Sequence, residues 1–259
     1  MRGRNPGLLG LEIATTVTVL GAWYVLSAGS TSLYFPPLAA ILESFREVWI
    51  GQGFVEHVVP SLGRMLAGYL LAAVAGISLG LAIGMSSWAR RLLGPGIDFL
   101  RALPAVVLVP FGLIVFGVGA PMQIFVITLG CSFPIILNTA AGAASVEPIL
   151  HDVSRSFQFS RTERLFRVVL PAAAPSIFAG LRASLALALI LMVVAEMVGS
   201  TNGIGYSILQ SQRMFVITDM WAGLLMLGIV GYVVNLIFLG VEHFALKWHH
   251  GLKASTRDA

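Results

Sequence analysis

Charge is scarce in this chain. Asp, Glu, Lys and Arg make up 11% of 259 residues, where soluble domains carry about 25%. So few charged groups cannot coat a globule of this length, which excludes a water-soluble fold. Cysteine is nearly missing as well. Cys131 stands alone in an apolar run, so no intrachain disulfide is possible, and it reads as a small packing residue. The phosphate-binding pattern G-x-x-x-x-G-K-[ST] is absent. If the chain pumps a solute, another subunit must hydrolyse the ATP. The five histidines, His57, His151, His243, His249 and His250, are scattered, without the clustering a membrane enzyme needs. Adjacent His249 and His250 have no cysteine or nearby carboxylate beside them, a poor metal site. No metal and no cofactor is expected.

Apolar residues are abundant: 57% of the chain, with a mean hydropathy of +0.89. A bilayer core takes roughly 20 apolar residues per helix. Six stretches qualify: Leu8–Ala28, Leu62–Ser86, Ile97–Gly117, Pro121–Ala141, Pro175–Val198 and Met220–Val241. The expected fold is an all-α, polytopic membrane bundle of six transmembrane helices, one domain over 1–259. Pro104, Pro110 and Pro134 interrupt the third and fourth stretches. Gly76, Gly80 and Gly84 recur every four residues in the second, so another helix can approach that face closely.

Lysine and arginine set the orientation. With the N-terminus inside, thirteen of them fall on the inner side, and only Arg46, Arg64 and Arg213 on the outer. Both termini are therefore expected in the cytoplasm. The net charge of +4 follows from this bias, and no nucleic-acid partner is implied. The N-terminal run also has the basic head and small residues of a signal peptide, but it is longer than a signal core and contains Glu12. Between the first two spans, Leu38, Ile41, Leu42, Phe45, Val48 and Trp49 recur at helical spacing. They predict a short amphipathic helix packed on the outer side of the bundle.

The stretch "EPILHDVSRSFQFSRTERLFRVVLP", from Glu147 to Pro171, is polar where its surroundings are not. Pro148 suits a first helical turn. Ile149, Leu150, Val153 and Phe157 then share one helical face. Ser160-Arg161-Thr162-Glu163 matches a capping box, which predicts a second helix ending near Pro171 and Pro175. Physics alone leaves two readings, an amphipathic hairpin on anionic lipid or a docking site for another protein.

The stretch resembles the cytoplasmic E-A-A loop of bacterial ABC importer permeases. Asp152-Val153-Ser154 stands at the E-A-A place, Gln158 where those loops have glycine, and Leu170-Pro171 closes the motif. "PSLGRMLAGYLLA", "PAVVLVPFGLIVFGVG", "FPIILNTAAGA", "GLRASLALALILMVVAEM" with "GIGYSI", and "VEHFALKWHH" resemble the nitrate/sulfonate/taurine branch in order. The resemblance implies a type I importer permease in a bacterial inner membrane. It further implies a second permease subunit in a homodimer, two copies of an ABC ATPase, and an external solute-binding protein. The segment 142–174 would be the coupling loop, with Leu150, Asp152, Val153, Ser154, Phe157, Gln158, Leu170 and Pro171 as its contact residues. The solutes implied are sulfonates, taurine, nitrate or a vitamin precursor. The competing class, a secondary transporter, would need coupling-ion sites and usually an inverted repeat.

Ionisable residues within spans are functional candidates. Glu196 can face an outer cavity, bond an amide of the next loop, or pair with a cation on another span. A role in the loop or gate is preferred over contact with substrate. Arg182 is expected to snorkel to the inner headgroups. Gln123, Ser132 and Asn138 in the fourth span and Asn235 in the sixth can line a pathway or bond across helices.

Overall fold

The computed structural model describes residues 6–247; Glu12, His249 and His250 bear on expectations whose side chains lie outside what it describes. The described residues are helical and contain no strand. α1 (Pro6–Ser27) leads through a link of turns and bends into α2 (Leu38–Trp49), and α3 (Val59–Gly84) follows. A short return is made by α4 (Ser87–Ala102) and α5 (Leu108–Phe116), joined by a 3₁₀ turn at Ala105–Val107. α6 (Ala120–Ala144) precedes a hairpin of α7 (Pro148–Ser156) and α8 (Arg161–Arg164). α9 (Leu170–Gly199), α10 (Ile204–Arg213) and α11 (Ile217–Ala245) complete the chain.

Four straight helical runs are long and apolar enough to cross a membrane: Phe54–Gly84, Ala120–Ala144, Arg161–Gly199 and Ile217–Ala245. The expected third span, Ile97–Gly117, is broken. α4 and the helix after it bend by 78° and qualify as a crossing only when taken together. Pro104 explains the break: it has no N–H to donate, and it pushes Leu103 to an extended ψ of 123°. The expected span Leu8–Ala28 overlaps α1, whose stretch Val17–Ser27 is apolar. The described residues thus supply four crossings, or five with the bent pair; the expected count of six is not confirmed by them.

The core is a tight trio. Gly68, Gly76, Gly80 and Gly84 of α3 lie against Ile127, Ile135, Thr139 and Ala143 of α6, in that order, so the two helices run parallel. A Cβ at any of the four would overlap these neighbours, so only glycine permits the approach. Gly130 meets Leu191, and Gly142 meets Ser176, so α9 runs antiparallel to α6. Because α3 and α6 are parallel, the intervening chain must cross once, and the bent α4–α5 pair is what carries it. Cross-helix bonds add to the packing. Tyr69 donates to the Leu181 carbonyl at 2.8 Å, Ser184 Oγ to the Cys131 carbonyl at 2.9 Å, and Cys131 Sγ to the Ser184 carbonyl at 3.4 Å.

α2 lies against α11. Leu38, Ile41 and Trp49 are buried, and Ser44 donates to Asp219 at 2.8 Å. Arg182 does not simply snorkel: it pairs with Glu242 of α11 at 2.6 Å, tying α11 to the end of the bundle where the hairpin sits.

The prolines expected to stop the second hairpin helix do not stop it. Helix continues from Arg161 to Gly199. A π-turn over Leu165–Val169 immediately precedes Pro171, with Leu170 N–H reaching the Leu165 carbonyl. The same device, a π-turn over Phe54–Val58, precedes Pro60. In an ordinary helix the proline ring clashes with the carbonyl four residues back; the wider π-turn makes room for it.

Candidate functional sites at the two ends of the bundle

At one end the hairpin projects with its apolar face uncovered. Phe157 is 71% exposed, Ile149 64%, Val153 45% and Leu150 39%. Asp152 is exposed and pairs with Arg155 at 3.9 Å, while Ser154 is buried. Leu170 and Pro171 open α9. The corner depends on Gln158, whose φ of 56° lies in the left-handed region. Its N–H reaches the Arg155 carbonyl and that of Phe159 reaches the Ser154 carbonyl, both at 2.9 Å. This is the two-bond cap that usually closes on glycine. The chain therefore makes the glycine turn without glycine. Beyond it, Ser160 and Glu163 form the reciprocal capping box, and Arg167 lies 5.7 Å from the Phe159 ring centre.

At the opposite end, Glu196 is 1% exposed. Its carboxylate accepts from Ser61 Oγ at 2.6 Å and from Gly205 N–H at 2.9 Å, and pairs with Arg64 at 3.1 Å. Two of the three sequence alternatives hold together, the loop amide and the cation on another helix. Arg64 also donates to the Pro60 carbonyl at 3.0 Å, Ser200 Oγ at 2.9 Å and the Asn202 carbonyl at 3.3 Å. Ile204 N–H donates to Ser61 Oγ at 2.9 Å, and Gly203 N–H to His57 Nδ1 at 3.2 Å. Gly203 has a φ of 121°, and a Cβ there would run into the Glu196 carboxylate. Gln123, also 1% exposed, donates from α6 to the Gly199 carbonyl at 2.9 Å. The turn at 200–203 is thus fastened to α3 and α6.

Glu196 and Gln123 come together here; the other pathway candidates do not. Ser132 Oγ and Asn138 Nδ2 bond carbonyls of their own helix, those of Thr128 at 2.6 Å and Pro134 at 2.8 Å. Asn235 lies exposed on α11, away from the buried face of Ala222, Gly223, Met226 and Val230. Sequence reasoning counted Arg64 only as an outer charge and passed over Ser61 and His57 as its companions. The signal was present: residues 57, 61 and 64 are spaced four and three apart and share one helical face.

A tightly packed helix trio, a broken return, a projecting hairpin at one end and a polar lock at the other define a polytopic membrane protein of the transport class. The chain belongs to the binding-protein-dependent transport system inner membrane component family, whose profile matches residues 54–244. It is 30% identical over 247 residues to the taurine transport system permease protein TauC of Escherichia coli (strain K12), covering 92% of this chain and 90% of that one. The nitrate import permease protein NrtB of Leptolyngbya laminosa is 32% identical over 225 residues, covering 84% and 80%. Among solved structures, the inward-facing MetNI methionine ABC transporter superposes with a TM-score of 0.61 at 18% identity, covering 72% of this chain and 93% of that one. That likeness supports the fold. The chain is an ABC importer permease, and its relatives are transport permeases.

Proposed function

We propose that this permease works as a homodimer whose two hairpins dock two ATPase subunits, moving a small solute that bears an oxyanion group and is delivered by an external binding protein. The hairpin then faces the cytoplasm, as do both termini, with α1 as the sixth crossing. The observation that carries this reading is the uncovered apolar face of α7. Phe157, Val153 and Leu150 project from a sharply capped corner, flanked by exposed Arg155 and Arg161. An aromatic side chain ringed by charge suits a protein cleft. The relatives are named for taurine, which carries a sulfonate group, and for nitrate, and the oxyanion that the two share sets the class of solute proposed.

Phe157 is the anchor and Arg161 a rim charge. Truncating a central aromatic anchor costs about 2–4 kcal/mol, roughly 30- to 1000-fold in affinity. A rim charge acts mainly on encounter rate and salt dependence. Phe157→Ala is expected to release the ATPase during copurification, while Arg161→Ala retains it. Unchanged ATPase recovery and unchanged solute-coupled hydrolysis with Phe157→Ala would reassign the hairpin to the lipid surface.

Glu196, Gln123 and their partners form the outer gate in this reading. The turn at 200–203 opens by releasing Arg64 and Ser61, and the carboxylate repels an anion from lodging there.

A further inference from the structure

An open cleft of about 440 Å³ lies where α4 breaks into α5, walled by α6 and α9. Leu103, Pro104, Phe133 and Leu187 make it apolar, and Arg101 and Asn138 are its polar members. Three observations bear on what it holds. First, Arg101 is bound through Nε alone, to Asp98 at 2.9 Å; no bond from its two terminal amino groups is found among the described residues. Second, Asn138 spends one amide hydrogen on the Pro134 carbonyl, which leaves the other for a ligand. Third, the 78° break lines this cleft through Ala105. Irregular backbone at membrane depth is tolerated where it borders a cavity. Asn138 is six residues from the hairpin end of α6, about 9 Å along the axis.

We infer that this cleft is an oxyanion subsite on the hairpin side of the pathway. Arg101 supplies the charge and a planar fork of donors that matches sulfonate, nitrate or carboxylate oxygens. Asn138 supplies a neutral donor, and Phe133 and Leu187 cover the rest of the solute. A cation would find no free acid in this wall, since Asp98 already serves Arg101. The inference rests on the permease reading above and names a position at which the solute's charge is met after the outer gate.

The test reads local charge separately from transport. Leu137 also lines the cleft, and Cys131 is buried. Leu137→Cys in a Cys131→Ala chain is labelled in inside-out vesicles with anionic and cationic methanethiosulfonates of equal size. One charge about 6 Å away, at the dielectric of water, changes each rate about threefold in opposite senses, so the anion-to-cation ratio falls roughly tenfold in Arg101→Gln. Arg101→Lys keeps the ratio. A ratio unaltered by Arg101→Gln overturns the inference. ATP-driven uptake of taurine and nitrate by the full transporter is measured in parallel. If the unaltered transporter takes up neither solute, the oxyanion-solute reading fails, whatever the labelling shows. If it takes one up and Arg101→Gln transports it at the same rate, the subsite fails and the permease reading stands.

Discussion

Replacing Glu196 with glutamine keeps the shape of the polar lock and removes its charge. The cost can be worked from the contacts. The Glu196 side chain is 0% exposed and that of Arg64 10%, so little solvent reaches either. Neutralising one partner strands the other as an uncompensated buried charge, at about 3–5 kcal/mol. Glutamine has a single oxygen. If it stays with Ser61 and Arg64, its amide faces Gly205 N–H, and one buried donor loses its acceptor at about 1–3 kcal/mol. Against this, Arg64 keeps Ser200, Asn202 and Pro60. The net expectation for Glu196→Gln is a destabilisation of about 3–5 kcal/mol, roughly 100- to 4000-fold in the folded-to-unfolded ratio. Reversible unfolding of the purified permease in mixed micelles measures it. The double variant Glu196→Gln/Arg64→Gln removes the stranded charge, so it is expected to fall short of the summed single costs by about 2 kcal/mol or more. Additive costs, or a Glu196→Gln change below about 0.5 kcal/mol, the size expected of an ordinary surface substitution, would refute the buried-pair account. Uptake is expected to fall by more than membrane abundance does, because the same bonds set where the turn at 200–203 sits.

Gln158 tests the corner. Gln158→Gly removes a left-handed penalty of about 1 kcal/mol and is expected to leave ATPase copurification intact. Gln158→Val, β-branched at a φ of 56°, is expected to weaken it; equal recovery from both variants would show that the corner does not position Phe157. Reporter fusions test the crossings. Gly51 and Asn202 are expected to report one side, and Arg90 and Ser160 the other. Gly119 is expected to match Asn202, since α4 and α5 together cross once. Fusions at Arg90 and Gly119 reporting the same side would remove that crossing.

Composition and periodicity by themselves determined the solvent of this chain and its all-helical fold class. With 11% charge no water-soluble fold is open to it, and apolar runs of membrane length were legible because burial in lipid depends on composition alone. The hairpin was also legible, since capping and amphipathic spacing are local properties. So was the need for close approach at Gly76, Gly80 and Gly84, though not the identity of the helix that fills it. Three things were decided only by tertiary structure. Pro104 breaks its helix while Pro134 and Pro171 do not, because the outcome depends on whether neighbours or a π-turn absorb the lost donor and the ring. The partner of Glu196 lies 132 residues away on α3, and no local pattern encodes a contact made by packing. Arg101 and Asn138 likewise share one cleft only because the bent α4–α5 return lays its break against α6.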